Sequence, residues 1–474
     1  MNEIPSDLSD NLLSSSEPTD LQSVDSGSEE RPPRRTLTRG VFFPHAAILG
    51  IAVFFFILYS NTFRGHQIHQ LTHGPFNFEC GIYRDYAMGK KDISKTGDNK
   101  LIKHFLCATL YPVFNKAIFR HLGTPDSPLV CSGLGAATIA LFGVWMYRRT
   151  KKSLVVFPLM LLLGFSFNTW YVSSIWESRA FIMFGAILLL LSLDWFIKRP
   201  GIPGLIFCIL ATVFSLLITI GNAYLIPLAP FAFLLSLRRI GFRKFIGWTV
   251  IYLFLVTLLV GMTYHTMGRI LNPILKVDNL IDLSLRERKM IGAKPQRFTG
   301  ENYRNVALQA LVYGVGAPYL PCGCRMADRE WANMRAIRAY FYYPRGILFV
   351  TGYTVLIIIV LIVICGKLLF VKEPVLWVMA LWAFLYISFF VYFNPWAGSG
   401  YAAELQPVFW GFMCLVLGSL RWKRLAALLL IPAIILCWNN YLLIDFFKYF
   451  YGGTAERAAF VTPPPMPTFR AGGV

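Results

Sequence analysis

The stretch HQIHQLTHGPFNFECGIYRDYAM, residues 66–88, gathers His66, His69, His73, Glu79, Cys80, Arg84 and Asp85 in one turn-rich segment. It follows directly on VFFPHAAILGIAVFFFILYS, an apolar run long enough to cross a bilayer. Asp85 and Glu79 are the candidate catalytic residues here, because a carboxylate within reach of an acceptor hydroxyl can take its proton as a new bond forms. A solvated loop is the plainer reading of a lone acid. It has no use for Phe76, Phe78, Tyr83 and Tyr86, whose presence predicts an ordered helix lying on the membrane surface. His66, His69 and His73 are spaced three and four apart and share one helical face. With Glu79 or Cys80 they could ligate zinc. The alternative is interfacial histidines on an extension of the first helix, and the HExxH order of a zinc hydrolase is absent.

Other candidates lie further along. KTGDNKLIKHFLCATLYPVFNKAIFRHLG, residues 95–123, alternates apolar and basic positions at helical spacing, as a helix at the membrane interface would. Its Lys103 and His104 either hold a phosphate by charge-assisted hydrogen bonds or anchor the helix to anionic headgroups. Glu177, in SSIWESRAF, and Glu404, in GYAAELQPV, stand at the mouths of apolar helices. An acid there faces a cavity or partner, or else caps the helix for ~0.3–1 kcal/mol. Asn222, in LLITIGNAYLIP, reads as a turn residue between two spans. Arg325, Arg329, Arg335 and Arg338 fall in CRMADREWANMRAIR, either a solvated helix face or a clamp for an anionic head group.

No GxxxxGK[ST], GxGxxG, GxSxG or EF-hand pattern occurs in a supporting context, which argues against ATPase, dehydrogenase and serine-hydrolase chemistry.

The elements that must position these residues follow from composition. Of 474 residues, 56% are hydrophobic and only 15% charged, where a soluble domain carries about 25%. The fold class is therefore an all-α polytopic membrane protein. Apolar runs predict about eleven transmembrane helices, near 41–60, 129–147, 153–171, 179–197, 203–221, 223–237, 246–265, 346–365, 374–393, 403–420 and 425–443.

The net charge of +20 does not imply nucleic acid, since Arg and Lys concentrate at the ends of these runs. RRTKK, FIKRPG, LRRIGFRK, CGKLLFVK and LRWKR all fall on the side of the N-terminal RPPRR if there are eleven spans, which predicts an N-terminus inside and a C-terminus outside. Residues 1–40, rich in Ser, Glu and Pro, read as a disordered cytoplasmic tail. Residues 41–443 form the transmembrane domain, with large exterior loops at 61–128 and 266–345, and 444–474 an exterior Pro-rich tail. Cys131, Cys208, Cys365, Cys414 and Cys437 fall in apolar runs as small core residues. Cys80, Cys107, Cys322 and Cys324 lie in the two loops, where a disulfide would need an oxidising compartment.

One span, a large exterior loop carrying an acid and interfacial helices, then a bundle of short-looped spans resembles the GT-C superfamily of integral membrane glycosyltransferases. DYAMGKKDISKTGDNKLIKHFLCATLYPVF is similar to first-loop segments of that superfamily, and SSIWESRAFIMFGAILLLL, ITIGNAYLIPLAP and NPWAGSGYAAELQPVFWGF to its later spans. The resemblance implies a GT-C-like fold and transfer of a sugar from a polyprenyl-phosphate donor to an acceptor outside the cytoplasm. It implies membrane lipid and a lipid-linked sugar phosphate as partners, and often a divalent metal as cofactor. It would make Asp85 or Glu79 the base and Lys103 and His104 phosphate partners. Glu177 and Glu404 would line the substrate cavity, with Asn222 beside it. The first loop has no adjacent Asp-Glu or Asp-Asp pair, a departure from the superfamily's usual pattern. The expected location is a bacterial plasma membrane in preference to the endoplasmic reticulum. A multi-pass transporter or flippase for an amphiphile, and a non-catalytic assembly protein, are the competing functions.

Overall fold

The computed structural model describes residues 39–64, 84, 110–111, 113–114, 128–275, 298–308, 310–311, 314–315, 373–393, 402–419 and 428–452. The chain divides into a short N-terminal unit, Met1–Phe43, and a large unit, Pro44–Val474. Among the described residues every regular element is a helix and no strand occurs.

In chain order the helices are α1 (Arg39–Thr62), α2 (Leu129–Thr150), α3 (Ser153–Phe165), α4 (Phe167–Ser173), α5 (Arg179–Lys198) and α6 (Ile202–Ile218). A 3-10 turn at Ile220–Leu225 leads to α7 (Leu228–Leu235), α8 (Leu237–Ile240), α9 (Phe242–Leu275) and α10 (Gly300–Leu308). The last three are α11 (Pro374–Phe393), α12 (Leu405–Ser419) and α13 (Leu430–Gly452). Five described helices are long and apolar enough to cross a membrane, and six if the bent pair α3–α4 counts as one span. Four further apolar helices are shorter. The chain is an integral, multi-pass membrane protein.

Local sequence explains several boundaries. Arg148 and Arg149 complement the carbonyl end of α2. The helix stops at Lys151, which takes a left-handed conformation at φ 54° and donates its backbone N–H to the Tyr147 carbonyl. Pro203 fits the first turn of α6, where no N–H is needed. Gly241, at φ 76°, makes the corner before α9 that a side chain would resist.

The expected span at 153–171 is not one straight helix. It breaks at Ser166 and bends by 60°. The backbone groups released at the break are taken up from far away. Phe167 N donates to the Val315 carbonyl at 2.8 Å and Asn168 N to the Gly314 carbonyl at 2.9 Å. Asn440 Nδ2 donates to the carbonyls of Phe165 and Val315. Part of the stretch expected as an exterior loop is therefore built into the bundle: Val306, Ala310 and Val315 are buried. Gln406 Nε2 donates to the Ala310 carbonyl, and Trp410 Nε1 to Ser166 Oγ. Buried backbone without partners is costly in an apolar bundle, so these distant donors and acceptors are what allow the bend.

Side-chain contacts fix the direction of α2, α5 and α11. At one end Arg149 and Lys198 meet on Asp194, Arg149 reaches Glu373, and Arg239 takes the Ile197 and Lys198 carbonyls. At the other lie Tyr111, Glu177, Tyr224 and Glu404. α5 runs from the second group to the first, a rise of ~30 Å for its length. α2 runs the same way, from Cys131 beside Tyr111 and Glu177 to Arg149. α11 leaves the Glu373 end, and Phe389, near its far end, stacks on Tyr224. Of the cysteines expected in the core, Cys131, Cys208 and Cys414 are buried free thiols and Cys437 is half-buried; Cys365 and the four loop cysteines lie outside the described residues.

Candidate functional site

Glu177 sits in the turn between α4 and α5 and is 2% exposed. Its Oε1 accepts from the backbone N–H of Ser178 at 3.0 Å and from Ser178 Oγ at 3.1 Å. The same oxygen pairs with Arg179 Nη1 at 3.3 Å. Arg179 opens α5, where the positive end of the helix dipole disfavours a cation. The neighbouring carboxylate offsets that cost.

Glu404 lies in the turn Ala402–Glu404 that precedes α12, outside the spanning helices, and is 3% exposed. The Tyr224 hydroxyl donates to its Oε1. Burial pushes the Glu404 carboxyl above the ordinary carboxylate range, while the Tyr224 bond and the Arg179 charge pull it back without cancelling the effect. The charge of Arg179 is thus paired with Glu177 and weakly felt at Glu404. The ring of Tyr224 stacks on Phe389 with centroids 5.0 Å apart and meets Tyr386 edge-on.

The first long loop reaches this end of the bundle through Tyr111, which is fully buried. Its hydroxyl donates to the Glu177 carbonyl at 2.5 Å and lies 3.0 Å from Cys131 Sγ. Its ring packs edge-on against Trp176 and Phe181. The loop that carries the expected catalytic acid is therefore tied to the Glu177 turn.

Of the residues singled out from sequence, Glu177 pairs with Arg179 and Glu404 with Tyr224, and the Arg179 charge is also felt at Glu404. Asn222 is buried close by in the chain to Tyr224, but its Nδ2 is spent on the Ser215 carbonyl at 3.0 Å, closing the end of α6. Asp85, Glu79, Lys103 and His104 lie outside the described residues, as do His66, His69, His73 and the Arg325–Arg338 cluster. Arg84, beside Asp85, is half-buried. Three participants escaped the sequence reading. Arg179 had a signal, a cation in the first turn of a helix; Tyr224 and Tyr111 had none, being aromatics among many.

Among the described residues no three His, Cys, Asp or Glu side chains are grouped to hold a metal ion. Glu177 Oε1 is engaged by Arg179 and Ser178, and Glu404 Oε1 by Tyr224. What the arrangement can do is hold charge and move a proton in a poorly solvated place, with Glu404 as the titrating group.

The opposite end holds a second buried acid that sequence reading passed over. Asp194 Oδ2 accepts from Trp145 Nε1 and Lys198 Nζ, each at 2.9 Å, and Oδ1 pairs with Arg149. Arg149 also reaches Glu373 at 3.2 Å. Asp194 joins α2, α5 and the start of α11, as a structural tie. No protein-family model and no curated protein matches this chain.

Proposed function

We propose that this protein is a membrane glycosyltransferase-like protein with a GT-C-like fold of about eleven spans. In this reading it moves a sugar from a polyprenyl-phosphate donor to an acceptor on the non-cytoplasmic side of a bacterial plasma membrane. The observation that carries the reading is the presence of two buried acids, Glu177 paired with Arg179 and Glu404 with Tyr224, at the end of the bundle remote from the cationic links. If those links face the cytoplasm, as the positive-inside rule has it, the end with the two acids faces out.

A lipid-linked sugar phosphate has chains that need an apolar groove and a head that needs cations. The acceptor hydroxyl gives its proton to a carboxylate, Asp85 or Glu79, as its oxygen bonds to the anomeric carbon. The bond from that carbon to the phosphate oxygen breaks, and the electron pair leaves on the phosphate. Lys103 and His104 stabilise that leaving charge. Glu177, Arg179, Asn222 and Glu404 shape the wall behind them, with Tyr111 holding the first loop in place.

The test is mass spectrometry of lipid-linked sugars and surface glycans in cells with and without the gene, and in Asp85→Asn, Glu79→Gln and Glu404→Gln cells. Loss of one glycan with build-up of its lipid-linked donor supports the reading. Identical profiles in all strains reject it.

One observation favours a transporter or flippase instead, the break between α3 and α4, since discontinuous helices bind substrate in many transporters. Here the released backbone at 167–168 is already paired with Gly314 and Val315. Transport of a labelled amphiphile by proteoliposomes, lost when the break is straightened, would establish that alternative.

A further inference from the structure

The end of the bundle that holds Asp194 has a property independent of any transferase reading. Arg239 Nη1 donates to the carbonyls of Ile197 and Lys198, at 3.0 and 3.1 Å, which sets the 237–244 link against the 196–201 link. Arg149 and Lys198 meet on Asp194, which brings the 148–152 link to the same place. The two acids described here, Asp194 and Glu373, are both consumed by these contacts. Arg148, Lys151, Arg199, Arg238, Arg243 and Lys244 remain exposed, and none of them has an ion pair among the described residues. Large apolar side chains stand exposed next to these cations: Leu154, Trp195, Ile202 and Phe242.

We propose that this surface binds anionic phospholipid headgroups, seated across the 148–152, 196–201 and 237–244 links. Cations at the ends of apolar helices lie at headgroup depth, with their stems along the acyl region. A surface that alternates exposed cations with exposed Trp, Leu, Ile and Phe suits a molecule with an anionic head and hydrocarbon chains. A nucleic acid has no use for the apolar half.

The test uses the purified full-length protein in a neutral detergent, titrated with phosphatidylglycerol or phosphatidylcholine and read by native mass spectrometry. Phosphatidylglycerol is expected to bind more tightly. The triple variant Arg148→Gln, Arg199→Gln, Arg238→Gln should weaken it about a hundredfold, from ~1 kcal/mol per cation and tenfold per ~1.4 kcal/mol. Phosphatidylcholine binding should not change. Arg64→Gln with Arg304→Gln, exposed cations elsewhere in the chain, should keep the preference. The triple lysine variant, which keeps the charge, should retain binding and so separates lost charge from lost fold. Equal binding of the two lipids overturns the proposal. So does a preference that survives in the glutamine variant, or displacement of phosphatidylglycerol by a short RNA.

Discussion

The hydroxyl of Tyr224 donates to Glu404 Oε1 across 180 residues of chain, joining the 3-10 turn after α6 to the turn before α12. Tyr224→Phe removes the donor and leaves a buried carboxyl oxygen unmatched, at a cost of about 1–3 kcal/mol. Thermal unfolding of the purified protein, followed by helical circular dichroism, should show a lower midpoint. The phenylalanine keeps the stacking on Phe389, so a wild-type midpoint would mean the bond adds nothing.

The same carboxyl predicts a pH dependence. Burial raises its folded-state pKa above the unfolded value, so the folded state holds the proton more tightly. That contribution to stability is fully present below the ordinary carboxyl pKa and is lost as the pH rises through the raised one. Glu404→Gln should flatten the fall in stability over that window, in denaturant titrations run at several pH values.

Tyr111→Phe deletes one hydrogen bond to the Glu177 carbonyl and should cost about 1 kcal/mol. Because Tyr111 ties the first long loop to the Glu177 turn, the sharper readout is proteolysis. Cleavage within 61–128 should quicken while cleavage elsewhere stays as in wild type.

Asp194→Ala strands the largely buried Arg149 and the Trp145 indole N–H, and should cost about 3–5 kcal/mol. Glu373, whose side chain is 46% exposed, contributes far less; Glu373→Gln should cost under about 1 kcal/mol. Equal losses in the two variants would refute this division.

Gly164 lies against the buried ring of Phe55, and a Cβ placed there would overlap it. Gly164→Ala should destabilise by about 1–3 kcal/mol through displacement of α1. Adding Phe55→Leu should restore part of that loss, a non-additivity that a double-mutant cycle measures.

Helices were legible in the sequence where apolar length and flanking cations agree. The expected 179–197 is α5 at Arg179–Lys198, and 374–393 is α11. The bend at Ser166 was not legible, because what permits it comes from Gly314, Val315 and Asn440, far along the chain. Glu177 and Glu404 stood out as acids beside apolar runs, yet nothing local tells that Tyr224, 180 residues away, bonds Glu404. Asp194 carried a readable signal, an acid four residues before Lys198 inside an apolar helix.

α5 is fastened at both tips, by the Tyr111 hydroxyl on the Glu177 carbonyl just before it and by Arg149 on Asp194 at its far end. A rod clamped in that way can neither slide along its axis nor tilt freely to suit its surroundings. The hydrocarbon thickness it tolerates is therefore narrow, and lipids with much shorter or longer acyl chains must deform around it rather than the reverse.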